Sequence, residues 1–168
     1  MPPIPRFCSQ CAASLEQRIV EGRQREVCPR CGTICYRNPT PVAAALVLDD
    51  QQRLLLVRRG QPPQQGLWCL PTGFAELGES IAEAALRELH EEAGLGGEVR
   101  SLVDVDSYVS DFYGDLVIVT YEVAPAAGPP CPGSDAVAVG WFAFDALPPL
   151  AFSSNERALA LLRQRKGI

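Results

Sequence analysis

One stretch of the chain, residues 73–95, constrains its fold and chemistry more than any other. Its sequence is GFAELGESIAEAALRELHEEAGL, and it places Glu88, Glu91 and Glu92 inside one predicted helix. At about 100° per residue, the three carboxylates fall within an arc of roughly 100° and point the same way. Like charges on one helix face repel each other, so the arrangement favours a bound cation. Carboxylate oxygens suit Mg²⁺ or Mn²⁺, and the stretch therefore predicts a divalent metal site; the other interpretation is a solvated acidic face.

The same stretch carries signals for both ends of its helix. Ser80 and Glu83 have the spacing of a capping box at the helix start, and Gly94 fits a C-terminal stop. Arg87 is placed to pair with an acid on the next turn, or to reach back to Glu79 at the helix entrance. Small and aliphatic residues at spacings of four, three and four predict a core-facing stripe: Ala82, Leu86, Leu89 and Ala93.

Together these residues resemble a complete Nudix box, the signature of the Nudix hydrolase family. Every fixed position of that signature is filled within 23 residues: Gly73, Glu79, Arg87-Glu88-Leu89, Glu91-Glu92 and Gly94-Leu95. The resemblance implies an enzyme that cleaves a nucleoside diphosphate linked to another moiety. It also implies that Mg²⁺ or Mn²⁺ is the catalytic cofactor.

The carboxylates of the box receive distinct roles. Glu88 and Glu92, four residues apart, are the foremost metal ligands, and the resemblance makes Glu91 a third ligand or a near-ligand. By the same resemblance Glu79 orients Arg87 and helps to position the attacking water. The general base varies within the family, so it stays open between Glu88 and a downstream acid. The predicted catalytic residues are Glu79, Arg87, Glu88 and Glu91.

Two further residues are candidate metal contacts. Gly73 has no side chain, so its backbone can come close to a ligand and its carbonyl could join the metal shell. Asp135, six residues before Trp141, falls where many Nudix enzymes place a distal carboxylate. A loop aspartate that caps a turn is an equal alternative for Asp135. The more usual glutamate, three residues before that tryptophan, is replaced here by Ala138.

Length and charge limit the remaining function classes. The 168 residues suffice for one ordinary domain and a small module. A net charge of −5 and a pI near 4.9 give no electrostatic footprint for nucleic acid and disfavour anionic membranes. No apolar run approaches the roughly 20 residues of a membrane span, and the N-terminal MPPIPRF lacks the apolar core of a secretory signal. We therefore expect a cytoplasmic protein that binds a small nucleotide, with no nucleic acid or membrane partner.

Four of the seven cysteines form two CxxC pairs, Cys8 with Cys11 and Cys28 with Cys31, separated by sixteen residues. This is the spacing of a zinc ribbon, in which four thiolates hold one tetrahedral structural Zn²⁺. A module of about 35 residues buries little core, so the metal would supply its folding free energy. A redox CxxC motif or two disulfides are the rival interpretations. Cys35 is not counted as a ligand.

The rest of the pattern predicts an α/β fold. A polar hairpin over residues 15–27 and a proline-rich joint at residues 38–41 divide the chain into a ribbon, residues 1–37, and a Nudix domain, residues 38–168. In the second part, apolar runs predict strands and a closing helix capped by Ser153 or Ser154: strands 42–48, 54–59, 98–108, 116–123 and 136–144, and helix 153–165. Strands flanked by two helices indicate an α/β/α sandwich with a mixed sheet, in agreement with the Nudix fold.

The substrate is less constrained by the sequence. A ribbon fused to a Nudix domain resembles the NADH pyrophosphatases, although their SQPWPFPxS motif is missing, and it resembles more closely the plant chloroplast FAD pyrophosphatases. Tyr108, Phe112 and Tyr113 could stack on adenine or flavin, or could be core and hairpin aromatics. The expected activity is hydrolysis of a dinucleotide such as FAD, NADH or ADP-ribose. A nucleotide-sensing module whose ribbon contacts a partner is the alternative, and the resemblance leaves a homodimer open.

Overall fold

The structure is a computed structural model that describes residues 4–133 and 135–167. The chain divides into two compact units. The first, the ribbon unit, contains the described residues up to Pro39 together with Ser110–Gly114. The second, the sandwich unit, contains Thr40–Val109 and the described residues from Asp115 onwards. No helix in the described ranges combines the length and apolar character that crossing a bilayer requires.

The ribbon unit is built on a three-stranded sheet with the order β1-β2-β3. Its strands are β1 (Glu16–Val20), β2 (Arg23–Val27) and β3 (Ile34–Cys35), all antiparallel. The hairpin predicted over residues 15–27 is present, and its turn lies at Glu21-Gly22, where both residues have positive φ values of 52° and 76°. This conformation matches the twist of a two-residue hairpin.

The sandwich unit contains two sheets and two helices. Their bounds are β4 (Thr40–Val47), β5 (Leu54–Arg59), β6 (Trp68–Cys69), β7 (Thr72–Phe74), α1 (Ile81–Ala93), β8 (Gly97–Ser110), β9 (Gly114–Pro125), β10 (Ala136–Phe142) and α2 (Ser153–Lys166). One sheet has the order β7-β4-β9-β8 and is mixed, because β4 runs parallel to β9 and antiparallel to β7. The other sheet, β10-β5-β6, is antiparallel. The predicted mixed-sheet α/β/α sandwich is confirmed.

Strands β4 and β5 are apolar on both faces because a helix covers each face. Along β5, Leu55 and Val57 pack in the cluster that contains Leu89 of α1, whereas the alternate residues Leu54 and Leu56 pack with α2. Side chains alternate across a strand, so a continuous apolar run fits a layer between two helices. In β4, the fully buried alanines Ala43 and Ala45 keep side chains small at the contact with α1. Ala44, also fully buried, lies on the opposite face of the strand.

The two helix starts differ from each other in how well the sequence predicts them. The capping box of α1 is present, since Ser80 and Glu83 exchange hydrogen bonds of 2.7 and 3.2 Å, and Gly94 ends the helix in the left-handed region. The predicted cap of α2 by Ser153 or Ser154 is wrong. That helix begins after Phe152 without a side-chain cap, so both serines lie inside its first turn.

The buried face of α1 is also shifted from the predicted stripe. Leu89 and Ala93 are buried as predicted, but Ala82 and Leu86 are only half-buried, while Ala84 and Ala85 are fully buried. The remaining buried residue of the helix is Glu92. The core-facing side of α1 therefore includes one of the predicted metal ligands, which a purely apolar pattern misses.

Candidate active site

Arg87, on helix α1, forms hydrogen bonds with the segment that precedes the helix. Its guanidinium donates to both oxygens of Glu79, with Nε–Oε2 of 3.1 Å and Nη2–Oε1 of 2.9 Å, and Nη2 also donates to the Phe74 carbonyl at 2.9 Å. The backbone N–H of Glu76 donates to Glu79 at 2.7 Å. Hydrogen bonds from Arg87, and then from Glu76, lower the pKa of Glu79. Glu79 is therefore an anion locked onto Arg87.

The same guanidinium also contacts two carboxylates of the helix. Nη1 of Arg87 donates to Glu88 Oε1 at 2.7 Å and to Glu91 Oε2 at 3.1 Å. The Glu88 side chain is 12% exposed and that of Glu91 is 46% exposed, so the two acids differ strongly in their access to solvent. Arg87 therefore offsets part of the repulsion that the sequence predicts on this helix face.

Glu92 is buried, with 6% of its surface exposed, and its Oε2 accepts a hydrogen bond of 3.0 Å from the Thr72 N–H. Burial raises the pKa of Glu92 to about 8, although the Thr72 N–H opposes this shift, and the negative charges of Glu88 and Asp135 add to it. Burial likewise raises the pKa of Glu88. A buried carboxyl group with a raised pKa is short of a cationic partner.

Gly73 lies directly against the Glu88 carboxylate. A Cβ on Gly73 would overlap all three carboxylate atoms of Glu88. The φ of Gly73 is not positive, so glycine is required here by the close approach and not by backbone conformation. The Gly73 backbone therefore comes close to the Glu88 carboxylate, one of the predicted metal ligands.

Asp135 comes to the same acidic site from a distant part of the chain. Its backbone carbonyl accepts a hydrogen bond of 2.7 Å from the Gly60 N–H at the end of β5. Its carboxylate is close enough to raise the pKa values of both Glu88 and Glu92. The structure thus places Glu88 against Gly73 and Glu92 against the Thr72 backbone. Glu91 is joined to Glu88 through Arg87, and Asp135 is near enough to influence both Glu88 and Glu92.

The helix carboxylates share a side of the site but do not form a closed cluster. In the described part of the chain, only four cysteines bring three or more potential ligand atoms within 4.8 Å of one another. Arg87 holds Glu91 on one side, whereas Thr72 holds Glu92 in the interior. The donor set nevertheless fits a divalent cation, because it consists of hard carboxylate oxygens.

Arg59 and Phe152 adjoin these acids and were not predicted as site residues. The Arg59 guanidinium lies 5.1 Å from the centre of the Phe152 ring, and its Nε donates to the Pro63 carbonyl at 2.8 Å. The Arg59 charge opposes the pKa rise of Glu92, so it lies near that carboxylate. Strand β5 reads only as an apolar run that ends in two arginines, and this pattern does not distinguish a site arginine from a surface one.

The three predicted stacking aromatics are split between two places. Tyr108, on β8, packs edge-on against Phe152 with ring centres 6.4 Å apart. Phe112 and Tyr113 lie at the turn between β8 and β9, where their rings contact each other edge-on at 4.8 Å. Only Tyr108 therefore joins the group formed by Arg59 and Phe152. Trp68 packs edge-on against Phe142 at 4.8 Å, as expected of a core residue.

The four cysteines of the ribbon unit converge as predicted. Sulfur–sulfur distances are 3.5 Å for Cys8–Cys31 and for Cys11–Cys28, and 3.6 Å for Cys11–Cys31. A tetrahedral zinc ion about 2.3 Å from each sulfur places the sulfurs about 3.8 Å apart, close to this spacing. A hydrogen bond from the Thr33 side chain is the main cause that lowers the pKa of Cys31 to about 6. These four thiols could hold one zinc ion.

Comparison with known proteins agrees with this geometry. The family model described as NUDIX domain matches residues 38–162, and the model described as Nudix N-terminal matches residues 6–37. The chain belongs to the Nudix hydrolase family. Its predicted class, a Nudix-type diphosphatase with an N-terminal ribbon, is thereby confirmed.

Three similar proteins illustrate this membership. An ADP-ribose pyrophosphatase of Methanocaldococcus jannaschii is 32% identical over 133 residues, which is 79% of this chain and 78% of that protein. The NAD-capped RNA hydrolase NudC of Pseudomonas aeruginosa is 30% identical over 86% of this chain, which spans only 50% of NudC. A crystal structure of a NUDIX hydrolase from Nitrosomonas europaea has a TM-score of 0.84 and 30% identity, and the match covers 97% of this chain and 94% of that one.

The raised pKa of Glu92 predicts that the sandwich unit, without Mg²⁺ or Mn²⁺, loses stability as the pH rises. The folded pKa of about 8 lies above the ordinary value of 4.5, so the folded state keeps a proton that the unfolded state releases. The stabilising contribution is complete below about pH 4.5 and is lost as the pH rises through 8. Urea unfolding followed by tryptophan fluorescence tests this, because both tryptophans, Trp68 and Trp141, belong to this unit.

Glu92→Gln is the control for this pH dependence, because glutamine does not titrate. The variant should show a flatter stability profile than the wild type over the same pH range. Identical profiles for the two proteins would contradict the assignment to Glu92. The buffers should contain zinc and no other divalent ion, so that the ribbon unit stays the same throughout.

Proposed function

We propose that this protein hydrolyses the diphosphate linkage of a dinucleotide-like substrate, with ADP-ribose and NADH as the first candidates. The observation that carries the proposal is the Arg87 network, which joins Glu79, Glu88 and Glu91, with the Glu88 carboxylate against Gly73 and Glu92 buried on the next turn of the helix. A nucleotide sensor has no need of this complete set. The name of the M. jannaschii relative, an ADP-ribose pyrophosphatase, supports the substrate class.

We further propose that the acids of the site hold Mg²⁺ or Mn²⁺. Glu88 and Glu92 would be the principal ligands. Glu91 and the Gly73 carbonyl would be further ligands, and Asp135 would add a carboxylate from the segment before β10. A divalent ion supplies charge neutralisation on the phosphate oxygens and lowers the pKa of a bound water. Arg87, held by Glu79, fixes the positions of Glu88 and Glu91, and the general base is taken from Glu88 or Asp135.

Arg59, Phe152 and Tyr108 are proposed as the substrate-orienting group. Arg59 is a cation beside the acidic site, so it suits a phosphate oxygen, and its contact with Phe152 fixes its orientation. The Phe152 and Tyr108 rings form an aromatic surface that suits a nucleobase. This assignment retains Tyr108 from the predicted stacking set, and no base contact is proposed for Phe112 and Tyr113.

Replacing Arg59 tests this group. Arg59→Gln should raise KM about tenfold or more and lower kcat less, because a charged hydrogen bond to the substrate is worth roughly 1.5–3 kcal/mol. Arg58→Gln is the matched control, since Arg58 is the exposed neighbour and donates to the Gly66 carbonyl at 2.9 Å. Steady-state kinetics with ADP-ribose measure both variants. Equal kinetic parameters for the two variants would show that Arg59 does not bind the substrate.

For the ribbon unit, we propose one structural Zn²⁺ on Cys8, Cys11, Cys28 and Cys31, and a module boundary between residues 37 and 38. The two family matches, which meet at this point, support the boundary. Cys28→Ser should remove most of the bound zinc, because a hydroxyl is a poor substitute for a thiolate. Cys35→Ser is the control and should keep it, since Cys35 lies outside the group of four. Zinc content by elemental analysis decides between them, and equal content would contradict the site.

A phosphate-release assay with a coupled phosphatase tests the proposed reaction. The panel contains ADP-ribose, NADH, NAD, FAD, CoA, diadenosine polyphosphates and nucleoside triphosphates, each with Mg²⁺ and with Mn²⁺. We expect ADP-ribose or NADH to be cleaved fastest. No turnover of any compound in either metal would favour the alternative, a nucleotide-sensing module. Sedimentation of the same preparation tests for the homodimer that the resemblance leaves open.

The name of the P. aeruginosa relative, an NAD-capped RNA hydrolase, introduces a second form of the same substrate. In that form the diphosphate-linked nucleotide is the 5′ end of an RNA chain instead of a free dinucleotide. The reacting bond is the same, so the proposed metal and arginine contacts apply unchanged. The two forms differ only in whether the protein also contacts the RNA chain.

A further inference from the structure

Charge is distributed unequally between the two parts of the chain. Residues 1–39 contain six arginines and three glutamates, a net charge of +3, whereas the remaining residues contain nine basic and seventeen acidic residues, a net charge of −8. The whole-chain value of −5 conceals this difference. Charge asymmetry of this kind indicates an anionic partner for the basic part.

Three of the six arginines lie on one face of the β1–β2 hairpin. Arg18 is directly opposite Arg25 in the ladder, and Arg23 is opposite Val20 two residues further along, so the three side chains share that face. Glu16 neutralises part of this positive charge, since it accepts a 3.0 Å hydrogen bond from Arg18. Like charges directly opposite each other destabilise a strand pair. This face therefore has more positive charge than its own stability favours.

Tyr36 adds an aromatic surface beside these arginines. The Arg25 guanidinium lies 4.5 Å from the centre of the Tyr36 ring, while Tyr36 itself is 54% exposed. The Nε atom of Arg25 is buried and has no hydrogen-bond partner. An arginine cluster next to an exposed aromatic ring is the combination that binds single-stranded nucleic acid, because the cations contact phosphates and the ring stacks on a base.

We infer that this face, formed by Arg18, Arg23, Arg25 and Tyr36, binds the phosphate backbone and one base of a single-stranded RNA. Through this face the protein would select the RNA-linked form of its substrate. The selection of substrate rests on the proposed function, whereas the RNA binding does not. The ribbon and sandwich units are parts of one chain, so an RNA held by the ribbon has a raised effective concentration at the diphosphate site. The expectation of no nucleic acid partner came from the net charge alone.

Binding is measured on the full-length, zinc-loaded protein with a fluorescent, unstructured RNA that carries a 5′ monophosphate. The buffer contains no Mg²⁺ or Mn²⁺, so no hydrolysis occurs and the result is independent of the catalytic proposal. Arg18→Gln/Arg23→Gln should weaken binding about tenfold or more and reduce the salt-dependence slope by about 1.4, since each lost phosphate contact removes roughly 0.7. Tyr36→Leu should weaken binding about fivefold or more through lost stacking.

Two variants control for charge and for folding. Arg6→Gln/Arg30→Gln removes two exposed arginines of the same unit that lie outside the β1–β2 hairpin, and should change affinity less than twofold. Arg18→Lys/Arg23→Lys keeps the charge and should retain affinity within about threefold. Equal losses in the two glutamine variants would overturn the proposal, and so would absent RNA binding at low salt. Competition by phosphatidylserine vesicles as strong as by unlabelled RNA would overturn it in favour of a membrane surface.

A second measurement connects the face to turnover. Cleavage of an NAD-capped RNA should slow in Arg18→Gln/Arg23→Gln, by a rise in KM, whereas cleavage of free NADH should be unchanged. If RNA binding is confirmed but neither capped RNA nor free NADH is cleaved by the wild type, the binding face stands and the proposed hydrolase fails. If both substrates are cleaved equally well by the variant, the face has no role in substrate selection.

Discussion

Glu92→Gln is expected to lower kcat by more than about 100-fold while the protein remains folded. Even groups that only support a metal ligand cost about 10- to 100-fold when they are mutated, so the loss of a ligand charge should cost at least as much. The fold should persist because glutamine keeps the size of the side chain and can still accept the Thr72 N–H bond. Turnover of ADP-ribose at saturating Mg²⁺, together with thermal unfolding, measures both parts of this prediction.

The same substitution is expected to lower turnover but not to lower the stability of the metal-free protein. Since burial raises the pKa of Glu92 to about 8, ionising it in the metal-free protein is unfavourable, and the neutral glutamine should leave that state equally stable or more stable. Added Mg²⁺ should stabilise the wild type and not the variant, because only the wild type binds it tightly. Wild-type turnover in Glu92→Gln would show that the metal site is wrongly placed.

Glu83→Gln is the matched control for this substitution. Glu83 belongs to the same helix and loses the same charge, but its carboxylate serves the capping box at Ser80, where glutamine can also function. We expect near-normal turnover in this variant. A large loss in Glu83→Gln would mean that the helix as a whole, and not the position of Glu92, controls activity.

The features that the sequence predicts well depend on neighbours close in the chain. Helix α1 begins at a cap, Ser80, and ends at Gly94, so its limits follow from the local sequence. The Glu79–Arg87 pair is also local, because the two residues are eight positions apart in the chain. The same holds for the Glu21-Gly22 turn. The cysteine spacing succeeds for a related reason, since two short knuckles place four sulfurs with little dependence on the rest of the fold.

The features that the sequence misses depend on contacts between distant segments. The sequence predicts Glu92 as a metal ligand but not its burial, which arises only because the β7 backbone lies against the helix. Arg59 and Phe152 meet because β5 and the start of α2 converge in the folded unit. The failed serine cap on α2 has a similar cause, because Ser154 is buried and its neighbour Asn155 accepts a 3.2 Å bond from the Leu70 N–H.

Gly73→Ala should be nearly as damaging as the loss of a ligand, although it adds a single methyl group. The new Cβ would overlap the Glu88 carboxylate, and the carboxylate cannot retreat freely because Arg87 holds it at 2.7 Å. A displacement of about 1 Å in a catalytic group costs roughly 100-fold in rate, so we expect kcat to fall by about that factor. Steady-state kinetics with ADP-ribose and Mg²⁺ give the measurement.

Gly96→Ala separates this effect from a general cost of replacing glycine. A Cβ on Gly96 would meet only the Ala126 methyl group at 3.8 Å, an ordinary contact, and its φ is not positive. Its turnover and unfolding temperature should therefore match the wild type. Because the obstruction in Gly73→Ala is steric, shortening the opposing side chain in Gly73→Ala/Glu88→Asp should recover part of the lost turnover. If Gly73→Ala alone retains full turnover, then Glu88 does not need its present position, and another carboxylate is the principal ligand.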